Sequence, residues 1–116
     1  LGLLKTVQPP TAIVAASDTQ AMGVIDAAHE LGVEVPGELS IIGFDDIAAS
    51  SFAGLTTVSQ PLEASGRMAA EILIAAIEAP GAPEVHERLP VDLVIRETTG
   101  VPHRKREKDR GREVRR

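Results

Sequence analysis

The chain has 116 residues without a cysteine, and 43% of the residues are hydrophobic. This length fits one small domain, and the composition excludes a disulfide framework, a thiolate nucleophile and a cysteine metal site. The net charge is −5, but residues 1–100 carry four basic and fourteen acidic residues while residues 101–116 carry eight basic and three acidic ones, so only the second region can attract nucleic acid.

The first residues give little sign of a targeting segment. Residues 1–8 look like the end of a helix that the following Pro9-Pro10 stops, which suggests that an upstream part is absent. No run approaches the roughly 18 apolar residues of a membrane span, and no cationic flank of a signal peptide is seen. We therefore expect a cytoplasmic protein without a membrane partner.

A strand, a helix and a second strand are predicted for residues 12–46. Residues 12–16 are continuously apolar, as in a strand buried on both faces, and a helix then extends to about Leu31. Gly32 suits the left-handed position that ends helices. A second apolar strand covers residues 39–44. Parallel strands joined by a helical crossover predict an α/β fold with a Rossmann-like parallel sheet.

Further elements follow in the same order along the chain. They are a helical turn at residues 47–52, a β-branched strand at 55–59, an amphipathic helix at 62–78, and short strands at 85–89 and 91–95. Pro90 between the last two strands places at least one of them at a sheet edge. From residue 101 the sequence is charged without periodicity, which predicts a disordered tail.

Polar residues follow both strands of the first unit, at the edge where open α/β sheets bind ligands. Asp18 begins the helix and either caps it or, if Ser17 caps it, accepts hydrogen bonds from a ligand. Asp45 and Asp46 end the second strand. Adjacent residues point different ways, so at most one of these two faces a ligand, and we expect the other to cap the turn at Ile47.

Signatures of catalysis are missing from the sequence. It has no G-x-G-x-x-G, no P-loop and no G-x-S-x-G. His29, His86 and His103 lie in three different segments without metal-ligand spacing, and two phenylalanines make no stacking platform. We expect no enzyme activity, no catalytic residue, no cofactor and no metal.

Several stretches together resemble the LacI/GalR family of bacterial transcriptional regulators. They are Pro10-Thr11-Ala12-Ile13, Ala16-Ser17-Asp18, Ala28-His29-Glu30-Leu31-Gly32, Ser40-Ile41-Ile42-Gly43-Phe44-Asp45-Asp46, Leu55-Thr56-Thr57-Val58-x-Gln60-Pro61 and Leu89-Pro90-x-x-Leu93-Val94-x-Arg96. Their order and spacing are specific to the family. The resemblance implies an effector-binding domain of the type I periplasmic-binding-protein kind, of which residues 1–100 are the C-terminal portion and residues 101–116 a basic tail.

The resemblance also implies site residues and partners. Asp18 matches an effector-contacting aspartate, with Ser17 beside it, Gln60 matches a position that lines the effector cleft, and Leu62 adds apolar contact. Phe52 falls in a segment that meets the partner subunit of a homodimer. The effector is a small molecule such as a sugar or nucleobase. Operator DNA is bound only through an N-terminal helix-turn-helix domain that these residues do not contain.

Three hypotheses of function remain, from different classes. The first is the effector-binding and dimerising portion of a LacI/GalR-type regulator, in which the effector shifts the populations of two lobe arrangements. The second is a fragment of a periplasmic sugar-binding protein of a transporter, which an upstream signal peptide would indicate. The third is an enzyme on the same fold, which turnover by the full-length protein would reveal.

Overall fold

The structure is a computed structural model that describes residues 2–102. Its elements are a 3₁₀ turn (Leu3–Lys5), β1 (Ala12–Val14), α1 (Asp18–Glu30), β2 (Ser40–Asp45), α2 (Ala48–Phe52), β3 (Thr56–Ser59), α3 (Leu62–Glu78) and β4 (Asp92–Val94). The predicted α/β class is confirmed. The predicted disorder of the basic tail concerns residues that, apart from 101 and 102, lie outside the described part of the chain.

The four strands form one sheet in the order β1-β2-β3-β4. β1 and β2 are parallel with Ile13 opposite Ile41, and β2 and β3 are parallel with Gly43 opposite Thr57. These pairings confirm the predicted helical crossover through α1. β4 is an edge strand, as Pro90 indicated, but it runs antiparallel to β3.

The core lies between α1 and the sheet. Ala21 and Ala28 of α1 are fully buried with Leu39, Ile41 and Leu55 of the strand region. Small residues on the inner face of α1 bring the helix close to the strands, so that apolar surface is removed from water on this side of the sheet. Gly32 has a φ of +68°, as the predicted helix end requires.

β1 is not buried on both faces, contrary to the prediction from its apolar run. Its first and last residues are exposed, and Val14 keeps 74% of its surface in solvent. β1 is one of the two outer strands of the sheet, and α1 covers only one of the two sheet faces. An apolar run marks a strand whose faces can be covered, but at Val14 the described residues leave the outer face largely in solvent.

Two further predicted elements, the strand at residues 85–89 and the helix end at residues 1–8, are wrong. Residues 85–89 form no strand, and β4 instead pairs with the edge of β3. The helical end predicted at residues 1–8 is only the 3₁₀ turn, in which Leu4 is the residue that packs, partly buried, against the core.

α3 extends away from the sheet instead of folding back on it. None of its residues is buried, and its apolar side chains Leu73, Ile74 and Ile77 are 61%, 55% and 68% exposed. The predicted amphipathic stripe is therefore present, but only Met68 and Ile72 are partly buried, and most of it lies in solvent.

Residues 96–100 return to the sheet and bond to both central strands. The Thr98 hydroxyl donates to the Ile41 carbonyl at 2.7 Å and accepts from the Thr56 N–H at 2.9 Å. The Thr98 carbonyl in turn accepts from the Ile41 N–H at 2.8 Å. This segment anchors the end of the described chain to the core. Among residues 2–102, no helix is long and apolar enough to cross a membrane.

Candidate functional site

The carboxyl ends of β1, β2 and β3 lie at one edge of the sheet because the three strands are parallel. Ser17 and Asp18 follow β1, Asp45 ends β2 with Asp46 next, and Gln60 follows β3. The edge therefore carries the polar residues that the sequence predicted for a ligand site.

Ser17 caps α1. Its hydroxyl oxygen accepts from the Gln20 N–H at 3.3 Å, and its backbone is extended as an N-cap residue requires. Ser17, and not the carboxylate of Asp18, therefore caps the helix, while the contact of Asp18 with a ligand stays a prediction. A role of Ser17 in ligand binding stays a prediction.

Asp18 is fully buried and connects α1 to α2 and β3. Its Oδ2 accepts from the Ser50 hydroxyl at 2.5 Å and from the Ile47 N–H at 3.0 Å, and its Oδ1 accepts from the Thr57 hydroxyl at 2.5 Å. Burial raises the pKa of Asp18, but the hydrogen bonds from Ser50, Thr57 and the backbone outweigh burial and hold the pKa below its ordinary value. The internal hydrogen bonds therefore favour the charged form of this carboxylate.

The space for this carboxylate exists because residue 43 is a glycine. A Cβ at Gly43 would overlap Asp18 Oδ1 and lie 3.0 Å from Leu55 Cδ2 and 3.2 Å from Asp18 Cα. The helix and the strand approach each other here too closely for any side chain on β2. Gly43 is therefore part of the site, although it bears no functional group.

Asp45 and Gln60 form a hydrogen-bonded pair at the same edge. Gln60 Nε2 donates to Asp45 Oδ1 at 2.7 Å in a partly buried position. Asp45 lies opposite Ser59 in the β2–β3 register, so its side chain reaches the residue that follows β3. Its φ of +116° is uncommon for a residue with a Cβ. The sequence marked both residues but did not pair them.

Neither Asp45 nor Asp46 caps the turn at Ile47, contrary to the expectation that one of them does. Asp46 Oδ1 accepts from Arg96 Nη2 at 2.7 Å, and Arg96 Nη1 donates to the Leu55 carbonyl at 2.8 Å. Ile47 is the N-cap of α2 without a side-chain cap, and its N–H is taken by Asp18. An arginine whose planar fork reaches two acceptors outcompetes the local cap.

Two predicted residues lie at the surface. Leu62 begins α3 and is 58% exposed next to Gln60, and Phe52 ends α2 and is 92% exposed. Leu62 is thus near the polar edge, whereas Phe52 belongs to the end of α2. The roles predicted for them, in ligand contact and at a subunit interface, stay predictions.

The sequence missed Ser50 and Thr57, which hold Asp18 in place. Both are fully buried, yet a threonine in a β-branched strand and a serine in a helical turn are common without any special role. The histidines behave as ordinary surface residues where the structure describes them, with His86 lying 3.5 Å from Glu84. No group of three or more potential metal-binding side chains occurs within residues 2–102.

Comparisons with known proteins extend over nearly the whole described chain. A family model of the periplasmic binding protein-like domain matches residues 2–99. The HTH-type transcriptional regulator MalR of Streptomyces coelicolor is 41% identical over 91 residues, which cover 77% of this chain and 26% of that protein.

Solved structures give a similar picture. A LacI transcriptional regulator from a Rhodococcus species superposes with a TM-score of 0.77 at 36% identity, covering 88% of this chain and 38% of that one. A LacI family transcriptional regulator from Enterococcus faecium with bound ribose gives 0.73 at 32% identity, covering 84% and 37%. The chain spans about a quarter of the length of the curated relative and somewhat over a third of the two solved chains.

Proposed function

The chain belongs to the periplasmic binding protein-like domain family, and we propose that it is the C-terminal portion of the effector-binding domain of a LacI-type transcriptional regulator. The relatives include LacI-type regulators, which confirms the family resemblance seen in the sequence. A fragment of a transporter's sugar-binding protein is not favoured, because those relatives are transcriptional regulators. They are not enzymes, which is consistent with a non-catalytic role.

The observation that carries the proposal is the polar carboxyl edge of the parallel sheet. Open α/β sheets bind ligands in the crevice outside the carboxyl ends of their strands, and here Gln60 and Asp45 meet at that edge with Leu62 beside them. A related regulator from Enterococcus faecium has ribose bound. We therefore propose a small polar effector, a sugar or a nucleobase compound, at this edge.

The predicted contact residues divide into two groups. Gln60, Leu62 and Ser17 keep exposed surface and are proposed to touch the effector, whereas the buried Asp18 already accepts three hydrogen bonds within the protein. Direct contact of Asp18 with the effector would require α2 to shift and release it. In the described arrangement, we propose that Asp18 supports the edge from beneath.

The remaining parts of the function concern the intact regulator. We propose that effector binding shifts the populations of two lobe arrangements and thereby changes the DNA affinity of a helix-turn-helix domain. We further propose a homodimer with Phe52 near its interface and a cytoplasmic location, where operator DNA is found. The fourteen acidic residues of positions 1–100 fit a portion that does not itself touch DNA.

The test uses the intact regulator with the DNA upstream of its own gene. We expect a mobility shift of that DNA, and we expect its apparent Kd to change about fivefold or more at saturating effector, the usual range of allosteric coupling. D-Ribose is the first probe, followed by other monosaccharides and by nucleobases. DNA binding that none of these compounds changes, or turnover of one of them, would contradict the proposal.

A further inference from the structure

We infer that the basic tail, residues 101–116, is a second DNA-binding element that contacts the phosphates of duplex DNA without reading the base sequence. The inference goes beyond the proposed function and rests on it in one respect, because DNA is the polyanion that a transcriptional regulator meets. The family model ends at residue 99, so the tail lies outside the matched domain. Recognition of the operator stays with the helix-turn-helix domain.

The tail holds most of the positive charge of the chain. Eight of the twelve Lys and Arg residues lie within positions 104–116, against three carboxylates. Segments this rich in Lys and Arg bind nucleic acids through the phosphates and release counterions from the duplex as they bind. The same positions contain no Phe, Tyr or Trp, and Val114 is their one large apolar residue. The tail therefore has no side chain for stacking on unpaired bases and one for inserting into a lipid bilayer, whereas it has eight for phosphate contacts.

The rest of the chain offers DNA no comparable surface. Residues 6–66 contain no Lys or Arg. Of the four basic residues before the tail, Arg96 is bound to Asp46 at 2.7 Å and Arg67 to Glu63 at 3.1 Å. Exposed carboxylates instead follow one another along α1 and the loop after it, at Asp26, Glu30, Glu34 and Glu38. Because these carboxylates repel phosphates, contact with DNA falls to the tail.

Hydrogen bonds attach the residues before the tail to the amino edge of the sheet. The Gly100 N–H donates to the Ser40 hydroxyl at 3.2 Å, and Ser40 is the first residue of β2. Thr98 bonds to both central strands, and its hydroxyl donates to the Ile41 carbonyl at 2.7 Å. The tail therefore begins at the opposite end of the strands from the carboxyl edge proposed for the effector. DNA bound to the tail leaves that edge accessible, so we expect the tail contacts to be independent of the effector.

The test measures binding of the intact regulator to a random-sequence DNA duplex by fluorescence anisotropy, between about 50 and about 200 mM salt. In the tail variant, glutamine replaces all eight basic residues of the tail. Each phosphate contact contributes about 0.9 to the slope of log K against log salt concentration. We expect the magnitude of this slope to fall by about 2 or more, and the Kd at about 100 mM salt to rise about tenfold or more.

Two matched variants each remove three positive charges, one set from the tail and one from exposed positions of the body. They are Arg104→Gln with Lys105→Gln and Arg106→Gln, and Lys5→Gln with Arg67→Gln and Arg88→Gln. We expect the tail set to lower the magnitude of the slope by about 1 or more and the body set to leave it unchanged. A wild-type slope in the variant without all eight charges would overturn the inference. Equal changes in the two matched variants would also overturn it, because net charge alone would then account for the effect.

Two comparisons identify the polyanion and separate the inference from the proposed function. We expect the tail variant to lose the same affinity, within about twofold, for the DNA upstream of the regulator's gene and for the random duplex. A larger loss for single-stranded poly(U) or for phosphatidylserine vesicles than for the duplex would overturn the assignment to DNA. If wild-type protein does not prefer its upstream DNA while the slopes change as expected, the proposed function fails and the inference stands. If that preference is present and the slopes do not change, the inference fails and the proposed function stands.

Discussion

Replacing Asp18 with alanine tests whether this carboxylate stabilises the fold by connecting α1 to α2 and β3. The substitution leaves the Ser50 hydroxyl, the Thr57 hydroxyl and the Ile47 N–H without their acceptor. A buried donor without a partner costs about 1–3 kcal/mol. The two hydroxyls can rotate towards other acceptors, so we take the low end for them and expect a total loss of about 3–5 kcal/mol. This is a large share of the roughly 5–15 kcal/mol by which domains are stable.

The measurement is urea unfolding of the intact regulator, followed by circular dichroism. Asp26→Ala is the matched control, because Asp26 is an exposed carboxylate of the same helix, and we expect it to leave the unfolding midpoint unchanged. If the free energy of unfolding of Asp18→Ala lies within about 1 kcal/mol of the wild-type value, the three donors find other partners and the supporting role assigned to Asp18 is wrong.

The same residue predicts the acid dependence of stability. The pKa of folded Asp18 is below its ordinary value, so its contribution is fully present above the unfolded pKa, about 3.9. It is lost as the pH falls through the lower folded pKa. We expect the unfolding free energy to depend less on pH below about 4 in Asp18→Asn than in wild type. Equal slopes would show that other carboxylates control acid unfolding.

Four further predictions follow from single features. Gly43→Ala places a Cβ against Asp18 and should lower the unfolding midpoint strongly, while Gly23→Ala, with nothing within 4 Å of the added Cβ, should leave it equal or higher. Arg96→Lys removes the two guanidinium hydrogen bonds to Asp46 and to the Leu55 carbonyl and should lower the free energy of unfolding in urea by about 1–3 kcal/mol. An unchanged free energy would show that the ion pair does not stabilise the fold. Truncation after Gly100 should leave the melting temperature unaltered, and a drop of several degrees would show that the basic tail docks. Residues 1–116 alone should form oligomers by light scattering, because α3 has no buried residue and exposes an apolar stripe; a monomer with protected α3 amides would contradict this.

Much of the fold could be predicted because it depends on local patterns. The apolar runs, Gly32 and the helical spacing of α1 located the first two strands and their crossover to within one or two residues. The exposure of Val14 and the antiparallel direction of β4 could not be predicted, because they depend on the position of each strand in the sheet. A run of apolar residues shows that a strand can be covered, but not which of its faces is.

The candidate site, too, could be predicted only where it depends on local sequence. The edge itself follows from parallel strands that end in polar residues, and the cap by Ser17 follows from its position before α1. The partners of Asp18 do not follow, because Ser50 and Thr57 are 32 and 39 residues away along the chain. Thr57 meets Asp18 through the pairing of β3 with β2, and Ser50 meets it from α2.

Gly43 explains why Asp18, which matches a ligand-contacting position, is buried. In the absence of any side chain at position 43, α1 approaches β2 closely enough for Asp18 to reach Thr57 across the strand. The carboxylate then satisfies internal donors, and Gln60 with Asp45 is left as the polar pair that still has hydrogen-bonding groups free at the edge. If the effector does draw Asp18 out, it must supply donors as good as the three that Asp18 already holds, and Ile47 at the start of α2 must find a new acceptor. Binding at Asp18 would therefore be coupled to a movement of α2 and of Phe52 at its end, whereas binding at Gln60 would not.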